Sequence, residues 1–379
     1  MNDSDTSLDE NQKMLADSAR KYLERGYASG ATIAPPDGCS PEHWREFSEL
    51  GWLALPVPEK YNGLGGSLSD VCVLAEQLGR SLVQEPLLAA TVLSGMLLAD
   101  AAPPEVAQQW LPFLADGTKR VAFAPWEPNA RHDFLFVAMT ARLDDGQWRL
   151  EGEKGLAPGA GGADAFIVAV RSDGGNLGLF LVDSGLPGVH VYNRVLYDGR
   201  YAATLRFSGA GPAILLMEGS EEKILLLISQ AMDRAVIAHA AETIGTMARA
   251  FEITCDYLGM RKQFGKPIVA NQVIQHRLVD LYVEVEEARA LTRAAALSPS
   301  PRMASAAVAF TSQVARHMWE EAIQLHGAIG MTEECAIGAY VRRLALATSL
   351  YGDAHFHLER LAAISLDEKA VAARCVFTK

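Results

Sequence analysis

The sequence predicts an α+β chain, because its hydrophobic periodicity changes twice along its length. Helical spacing holds to about residue 118. From Arg120 to about Ile214 it gives way to short apolar runs between Gly, Asp and Asn turns, and at Ser220 it returns. A third observation is size, since 379 residues at 49% hydrophobic content can bury two or three cores. The expected division is an N-terminal helical domain at 1–119, a middle β domain at 120–216 and a C-terminal helical bundle at 217–379.

In the first part, Leu50, Leu53 and Leu55 lead into Pro56-Val57-Pro58 and the turn-rich stretch from Tyr61 to Gly66, after which Ser69 or Asp70 is expected to cap a helix through Leu82. In the middle part, Phe134 to Met139, Ala165 to Val170 and Leu177 to Val182 have the composition of strands. In the last part the spacing predicts helices over about 220–258, 271–297, 302–326 and 335–349, with another after about Phe356. Glu221 and Glu222 suit a first helical turn, where acidic side chains complement the dipole. Ser298-Pro299-Ser300-Pro301 reads as the turn between two antiparallel helices.

Charge and composition exclude several classes. A net charge of -12 argues against nucleic acid, although a polyphosphate ligand needs only a local basic pocket. The start, Met1-Asn2-Asp3-Ser4-Asp5, has no basic or apolar leader, and no uninterrupted apolar run approaches the length of a membrane span, so a cytoplasmic location is expected. Cys39, Cys72, Cys255, Cys335 and Cys375 are scattered without a Cys-x-x-Cys pair, as reduced thiols would be. His355 and His357 have no third ligand at a recognisable spacing; solvated or helix-capping histidines are expected, and no metal.

Two segments carry the chemistry. Arg261-Lys262-Gln263-Phe264-Gly265-Lys266-Pro267 precedes Asn271 and a long helical pattern, and Gln324-Leu325-His326-Gly327-Ala328-Ile329-Gly330 follows some sixty residues later. A pyrophosphate needs fixed positive charge, backbone N–H groups and close backbone approach. Arg261 offers a planar fork of donors, Gly265 a tight turn, and Asn271 a cap for the helix whose first N–H groups would face the anion. The plain alternative is a helix-ending loop with basic residues at a helix C-terminus. A P-loop is ruled out, because five residues separate Gly259 from Gly265 and Pro267 follows Lys266. No Gly-x-Gly-x-x-Gly joins a strand to a helix either.

With the helical–β–helical order and the run Val57-Pro58-Glu59-Lys60-Tyr61-Asn62-Gly63-Leu64-Gly65-Gly66, these segments resemble the acyl-CoA dehydrogenase family over nearly the whole chain. The resemblance implies a β-barrel-like middle domain, a C-terminal four-helix bundle, FAD as cofactor and a tetramer. By position it assigns the adenine and pyrophosphate half of a neighbouring subunit's FAD to Arg261, Gln263, Phe264, Gln272, Gln324, Gly327 and Gly330. It further implies an acyl-CoA substrate and an electron-transfer flavoprotein as acceptor.

The family pattern breaks elsewhere. Where the family offers Thr and Ser hydroxyls to the flavin ring, this chain has Ala124-Pro125-Trp126-Glu127-Pro128; where it has Trp-Ile-Thr or Trp-Ile-Ser, this chain has Leu156-Ala157-Pro158. Aligned on Tyr351, the position of the family's catalytic Glu is Gly352; aligned backward from Arg360, it is Asp353. A second family placement of the acid falls on Asp233. Asp353 reads as either a base or a helix cap, and Asp233 as either a base or an ion-pair partner of a nearby Arg. Gly245 and Ala248 either widen a substrate cleft or pack a helix. The segments retained are those one subunit lends to its neighbour's FAD, which predicts a heteromer with a paralogous subunit, as in some dehydrogenases of steroid side-chain thioesters. A self-assembled tetramer, a flavin monooxygenase on the same fold and a non-catalytic structural subunit are the other readings.

Overall fold

The computed structural model describes residues 8–27, 35 and 38–376, with side chains to residue 366; the acidic start and the Cys375 thiol lie outside the described residues. The fold has an N-terminal helical domain, a middle β-sheet domain and a C-terminal helical domain. The chain divides into two compact units, residues 1–31, 72–83 and 236–379 in one, and 32–71 and 84–235 in the other.

The first helices are α1 (Glu10–Gly26), α2 (Pro41–Glu49), α3 (Leu68–Arg80), α4 (Met96–Ala101) and α5 (Pro104–Ala115). The cap of α3 lies earlier than expected. The Ser67 N–H donates to Asp70 Oδ2 at 2.8 Å and the Asp70 N–H to Ser67 Oγ at 3.2 Å, a reciprocal capping box in which Asp70 sits inside the first turn.

The strands are β1 (Val121–Phe123), β2 (Thr140–Asp144), β3 (Gln147–Pro158), β4 (Ala165–Ser172), β5 (Leu177–Asp183), β6 (Val189–Val195) and β7 (Tyr201–Gly219). Following the ladders from β4 through β2, β3, β7 and β5 leads back to β4, so these strands close a barrel; β1 and β6 pair outside the ring. Closure leaves none of the five ring strands with an open edge. Leu150, Phe166, Val168, Val170, Phe180, Val182, Leu205 and Phe207 fill its core. The expected strand from Phe134 to Met139 does not form. The N–H groups of Ala138 and Met139 donate to the Glu127 carboxylate at 3.0 and 3.1 Å rather than to a neighbouring strand, and the ladder begins at Thr140.

The C-terminal helices are α6 (Glu221–Met260), α7 (Gln272–Leu297), α8 (Pro301–His326), α9 (Ile337–Ala347) and α10 (Ala354–Val376), each close to its expected span. A short hairpin, β8 (Lys262–Gln263) and β9 (Lys266–Pro267), separates α6 from α7. Between α7 and α8 the Ser/Pro turn lies where expected, with Ser300 Oγ accepting from the Met303 N–H. α6 holds an 18-residue window of mean hydropathy 1.4, long and apolar enough to cross a bilayer, yet 67% of that window is buried, as in a core helix of a soluble protein.

Gly245 packs a helix crossing. A Cβ built on it falls 1.8 Å from the Glu76 carbonyl oxygen, and one built on Gly79 falls 1.8 Å from that of Glu242, so α3 and α6 touch backbone to backbone at two reciprocal points. Thr246 Oγ1 adds a 3.2 Å hydrogen bond to the Gly79 carbonyl. Alanine at an unhindered helical position outranks glycine by about 1 kcal/mol, but here the forced separation dominates. Gly245→Ala is therefore expected to destabilise the protein by about 1–3 kcal/mol, in the range of overpacked cores; chemical denaturation showing equal or greater stability would refute the close crossing.

Candidate cofactor and base sites

In the unit containing α7 and α8, the C-terminal end of α6 and the end of α8 lie side by side. The Arg261 N–H donates to the Tyr257 carbonyl at 2.8 Å and the Ile268 N–H to the Arg261 carbonyl at 2.9 Å, which closes the hairpin base. At its tip, Phe264 takes φ 52° and Gly265 φ 80°. The Phe264 ring is 100% exposed, an uncommon place for a large apolar side chain with no partner. Arg261 and Gln263 are also exposed, and the Arg261 guanidinium has no hydrogen-bond or ion-pair partner among the described residues. Asn271 stands at the N-cap of α7 without capping through its side chain, because its Nδ2 instead donates to the Ile268 carbonyl at 2.9 Å. No side chain closes the first turn of α7, which begins with the exposed Gln272.

At the end of α8, Gln324 is exposed on the last turn and Gly327 ends the helix at φ 67° with no heavy atom near its missing Cβ. Gly330 is buried, and a Cβ there would lie 2.9 Å from the His326 Cβ. The rings of Tyr257 and His326 stack at 4.5 Å with 17° between planes, and Tyr257 Oη donates to the His326 carbonyl at 3.2 Å. The structure thus brings the two motif segments together through residues the sequence did not single out. Exposed Met260, Phe264, Ile329 and Met331 add apolar surface on these same segments.

The base region is organised differently. Asp353 Oδ1 accepts the Phe356 N–H at 2.8 Å, placing it as the cap of α10. Gly352 takes φ 106°, and a Cβ on it would lie 2.6 Å from the Phe356 ring and 2.9 Å from His357 Nε2. His357 is fully buried with Nε2 at 3.1 Å from the Tyr351 carbonyl, so it is neither solvated nor capping, whereas His355 is exposed and pairs with Glu359 at 3.1 Å. Among the described residues no group of His, Cys, Asp and Glu forms a metal site.

Beneath Tyr351 lies a buried polar network. His239 Nε2 is 3.2 Å from the Ala347 carbonyl, His239 Nδ1 is 3.4 Å from Glu242 Oε2, and Arg343 donates to Glu242 Oε1 at 3.1 Å and to the Leu82 and Val83 carbonyls. The His239 ring packs 5.1 Å from that of Tyr351. The available signal was a polar stripe, His239, Glu242, Thr243 and Thr246, at helical spacing in the apolar α6.

The other unit holds the segment matching the family's flavin-ring loop. Glu127 and Lys154, 6% and 0% exposed, pair at 2.8 Å, and the Gly155 N–H donates to the Trp126 carbonyl at 2.7 Å, so the loop after β1 is fastened to β3. Burial pushes the Lys154 pKa down, opposed by the Glu127 charge and hydrogen bond. Leu156 projects 47% exposed where β3 slips register, and Pro158 ends the strand without an N–H. Asp233, in this unit, is buried, and its neighbour Arg234 pairs with Asp100 at 2.6 Å.

Three domain descriptions match the chain: acyl-CoA dehydrogenase N-terminal domain over residues 9–118, middle domain over 122–209 and C-terminal domain over 225–366. Acyl-CoA dehydrogenase IpdE2 of Mycolicibacterium smegmatis is 28% identical, covering 94% of this chain and 99% of that protein. IpdE2 of Mycobacterium tuberculosis is 30% identical, with 83% of each chain covered. Among solved structures, the steroid ACAD variant Tcur3481-Tcur3483 superposes with a TM-score of 0.84 at 27% identity, over 95% of this chain and 99% of that one.

The buried ion pair gives a test of the middle domain. Replacing Lys154 with Met leaves the Glu127 carboxylate buried with only its two backbone donors, so Lys154→Met is expected to cost about 3–5 kcal/mol, as in other broken buried pairs. Urea denaturation of the variant checks this, and an unchanged midpoint would mean the pair does not fasten the loop.

Proposed function

Because this chain belongs to the acyl-CoA dehydrogenase family, a family of FAD-dependent oxidoreductases, we propose that it serves as one subunit of a heteromeric enzyme that introduces an α,β double bond into an acyl-CoA thioester. It lends the nucleotide clasp to a paralogous subunit's FAD and supplies no α-proton base of its own. The observation that carries this reading is the base region, where the family position is a glycine with no room for a side chain and the adjacent Asp353 caps α10. Asp233 is not favoured either, since a buried aspartate is one methylene shorter than glutamate, and a misplacement of about 1 Å costs on the order of a hundredfold in rate.

The residues present fit one half of FAD and not the other. On the fitting side, Arg261 presents an unengaged guanidinium, Gln272 opens α7 with no side chain closing its first turn, and Gly327 is unhindered. Gln263, Phe264 and Gln324 are exposed on the same two segments, and Gly330 sets the turn of the second. An exposed Phe264, with Met260, Ile329 and Met331 also exposed on the same two segments, is what a subunit contact would cover. On the other side, Pro125, Leu156, Ala157 and Pro158 offer no side-chain hydrogen bond to a flavin ring. FAD supplies the two-electron acceptor when bound, with electron-transfer flavoprotein as the onward acceptor. This chain's residues bind and orient its adenine and pyrophosphate end.

Support for a heteromer also comes from the likeness to Tcur3481-Tcur3483, a steroid ACAD named for a pair. A bulky acyl group of that kind is the substrate we favour.

The chain purified alone is expected to hold well under one FAD per chain and to show no acyl-CoA-dependent dye reduction, whereas co-purification with its paralogue restores both. A yellow, active homotetramer of this chain would overturn the proposal. In the assembled enzyme, Asp353→Asn keeps a capping oxygen and is expected to leave kcat within about twofold, while Asp353→Ala lowers stability by about 1 kcal/mol through loss of the cap. A hundredfold fall in kcat for Asp353→Asn with unchanged stability would make Asp353 the base.

A further inference from the structure

We infer that Tyr257 and His326 form the joint that fixes the spacing of the two nucleotide-gripping segments, so that the affinity for FAD depends on a ring stack and a hydrogen bond made by residues that do not themselves grip the nucleotide. This rests on the reading of those segments as the FAD clasp.

Tyr257 works at both ends. Its carbonyl accepts the Arg261 N–H at 2.8 Å and so holds the first residue of the hairpin, while its hydroxyl donates to the His326 carbonyl at 3.2 Å, one peptide before the positive φ of Gly327. Hairpin and loop, distant in sequence, are thereby referred to one side chain. The face-to-face arrangement at 4.5 Å and 17° adds resistance to sliding, since displacement of either helix end separates the rings. Gly330 also approaches His326 so closely that a Cβ on it would lie 2.9 Å from the histidine Cβ, so the loop packs against the base of that side chain.

The tautomer follows from geometry. His326 Nδ1 lies 2.8 Å from the Ala322 carbonyl oxygen, which only accepts, so Nδ1 carries the hydrogen and donates it. Nε2 is then a lone-pair acceptor, buried and without a hydrogen-bond partner among the described residues. Burial pushes the His326 pKa down, which keeps the ring neutral and able to stack without bringing charge into the core. Neither residue is assigned contact with the coenzyme; both are positioning residues.

The test uses the chain in its native assembly, with the flavin removed and FAD itself titrated back by fluorescence. Tyr257→Phe keeps the stack and deletes one hydrogen bond, and is expected to raise the Kd for FAD roughly three- to tenfold. His326→Ala removes the stack and should raise Kd by more than about tenfold, and His326→Phe, which restores a ring, should return it to within about threefold of native. The melting temperature of the flavin-free assembly should move little for Tyr257→Phe, separating positioning from general stability. Native FAD affinity in both Tyr257→Phe and His326→Ala, with Arg261→Ala weakened, would overturn the joint and leave the clasp standing. Failure of His326→Phe to recover affinity would overturn the stack as its basis. Native affinity in Arg261→Ala as well would show that these segments do not hold FAD at all, and the joint falls with them.

Discussion

One buried charge organises the C-terminal unit. Arg343 is 2% exposed, cannot be neutralised at any pH the protein meets, and must find acceptors for its guanidinium where there is no water. It finds the Glu242 carboxylate on α6 and the Leu82 and Val83 carbonyls just beyond α3. These partners bring α3, α6 and α9 together at one point, and the Gly79/Gly245 crossing brings α3 and α6 close enough for all three to be reached. A lysine there, with one compact ammonium, could not spread its donors across the same partners.

From that anchor α6 runs on to Tyr257 and the hairpin. In the same unit α9 leads through Tyr351 to the cap of α10. The hairpin, the loop after α8 and the turn before α10 therefore depend on one set of helix contacts. The flavin-ring loop depends on another, the Glu127–Lys154 pair and its backbone donors within the barrel. That loop remains well fastened although its sequence has Pro125 and Trp126 where the family offers hydroxyls. Preserved scaffolding with altered contact residues is what a subunit needs if it must keep its shape for a neighbour without holding a flavin ring itself.

Much of this was legible in the residues. The helix limits were, because long helix-compatible runs are bounded by clear punctuation: the Gly and Pro of the segment after Arg261, and the Ser/Pro turn at 298–301. The tight turn at Gly265 was legible too, since glycine alone adopts positive φ freely. The run from Phe134 to Met139 misled because its apolar composition matches a strand, while its N–H groups are claimed by a carboxylate contributed from the loop at Glu127, a long-range choice that composition cannot reveal. Asn271 misled in the opposite way, since a good capping residue spends its amide on the Ile268 carbonyl instead. Tyr257, His326 and Arg343 were missed because their partners lie 69 to 261 residues away or are main-chain carbonyls, which leave no mark on a sequence.

The position of Gly352 decides how deep the departure from the family pattern goes. Had the family's Glu simply been exchanged for glycine, the space for a carboxylate would remain beside Tyr351, and the backbone would lie in a region open to any residue. Instead φ is 106°, a conformation that side chains other than glycine's rarely adopt, and the volume a Cβ needs is taken by Phe356 and His357. His357 in turn is held through Nε2 by the Tyr351 carbonyl, and Asp353 ties the next turn down through the Phe356 N–H. Gly352, Asp353, Phe356 and His357 thus lock one another in an arrangement with no room for a side chain at residue 352. The lack of room for a side chain at residue 352 is therefore a property of the local backbone as well as of one residue.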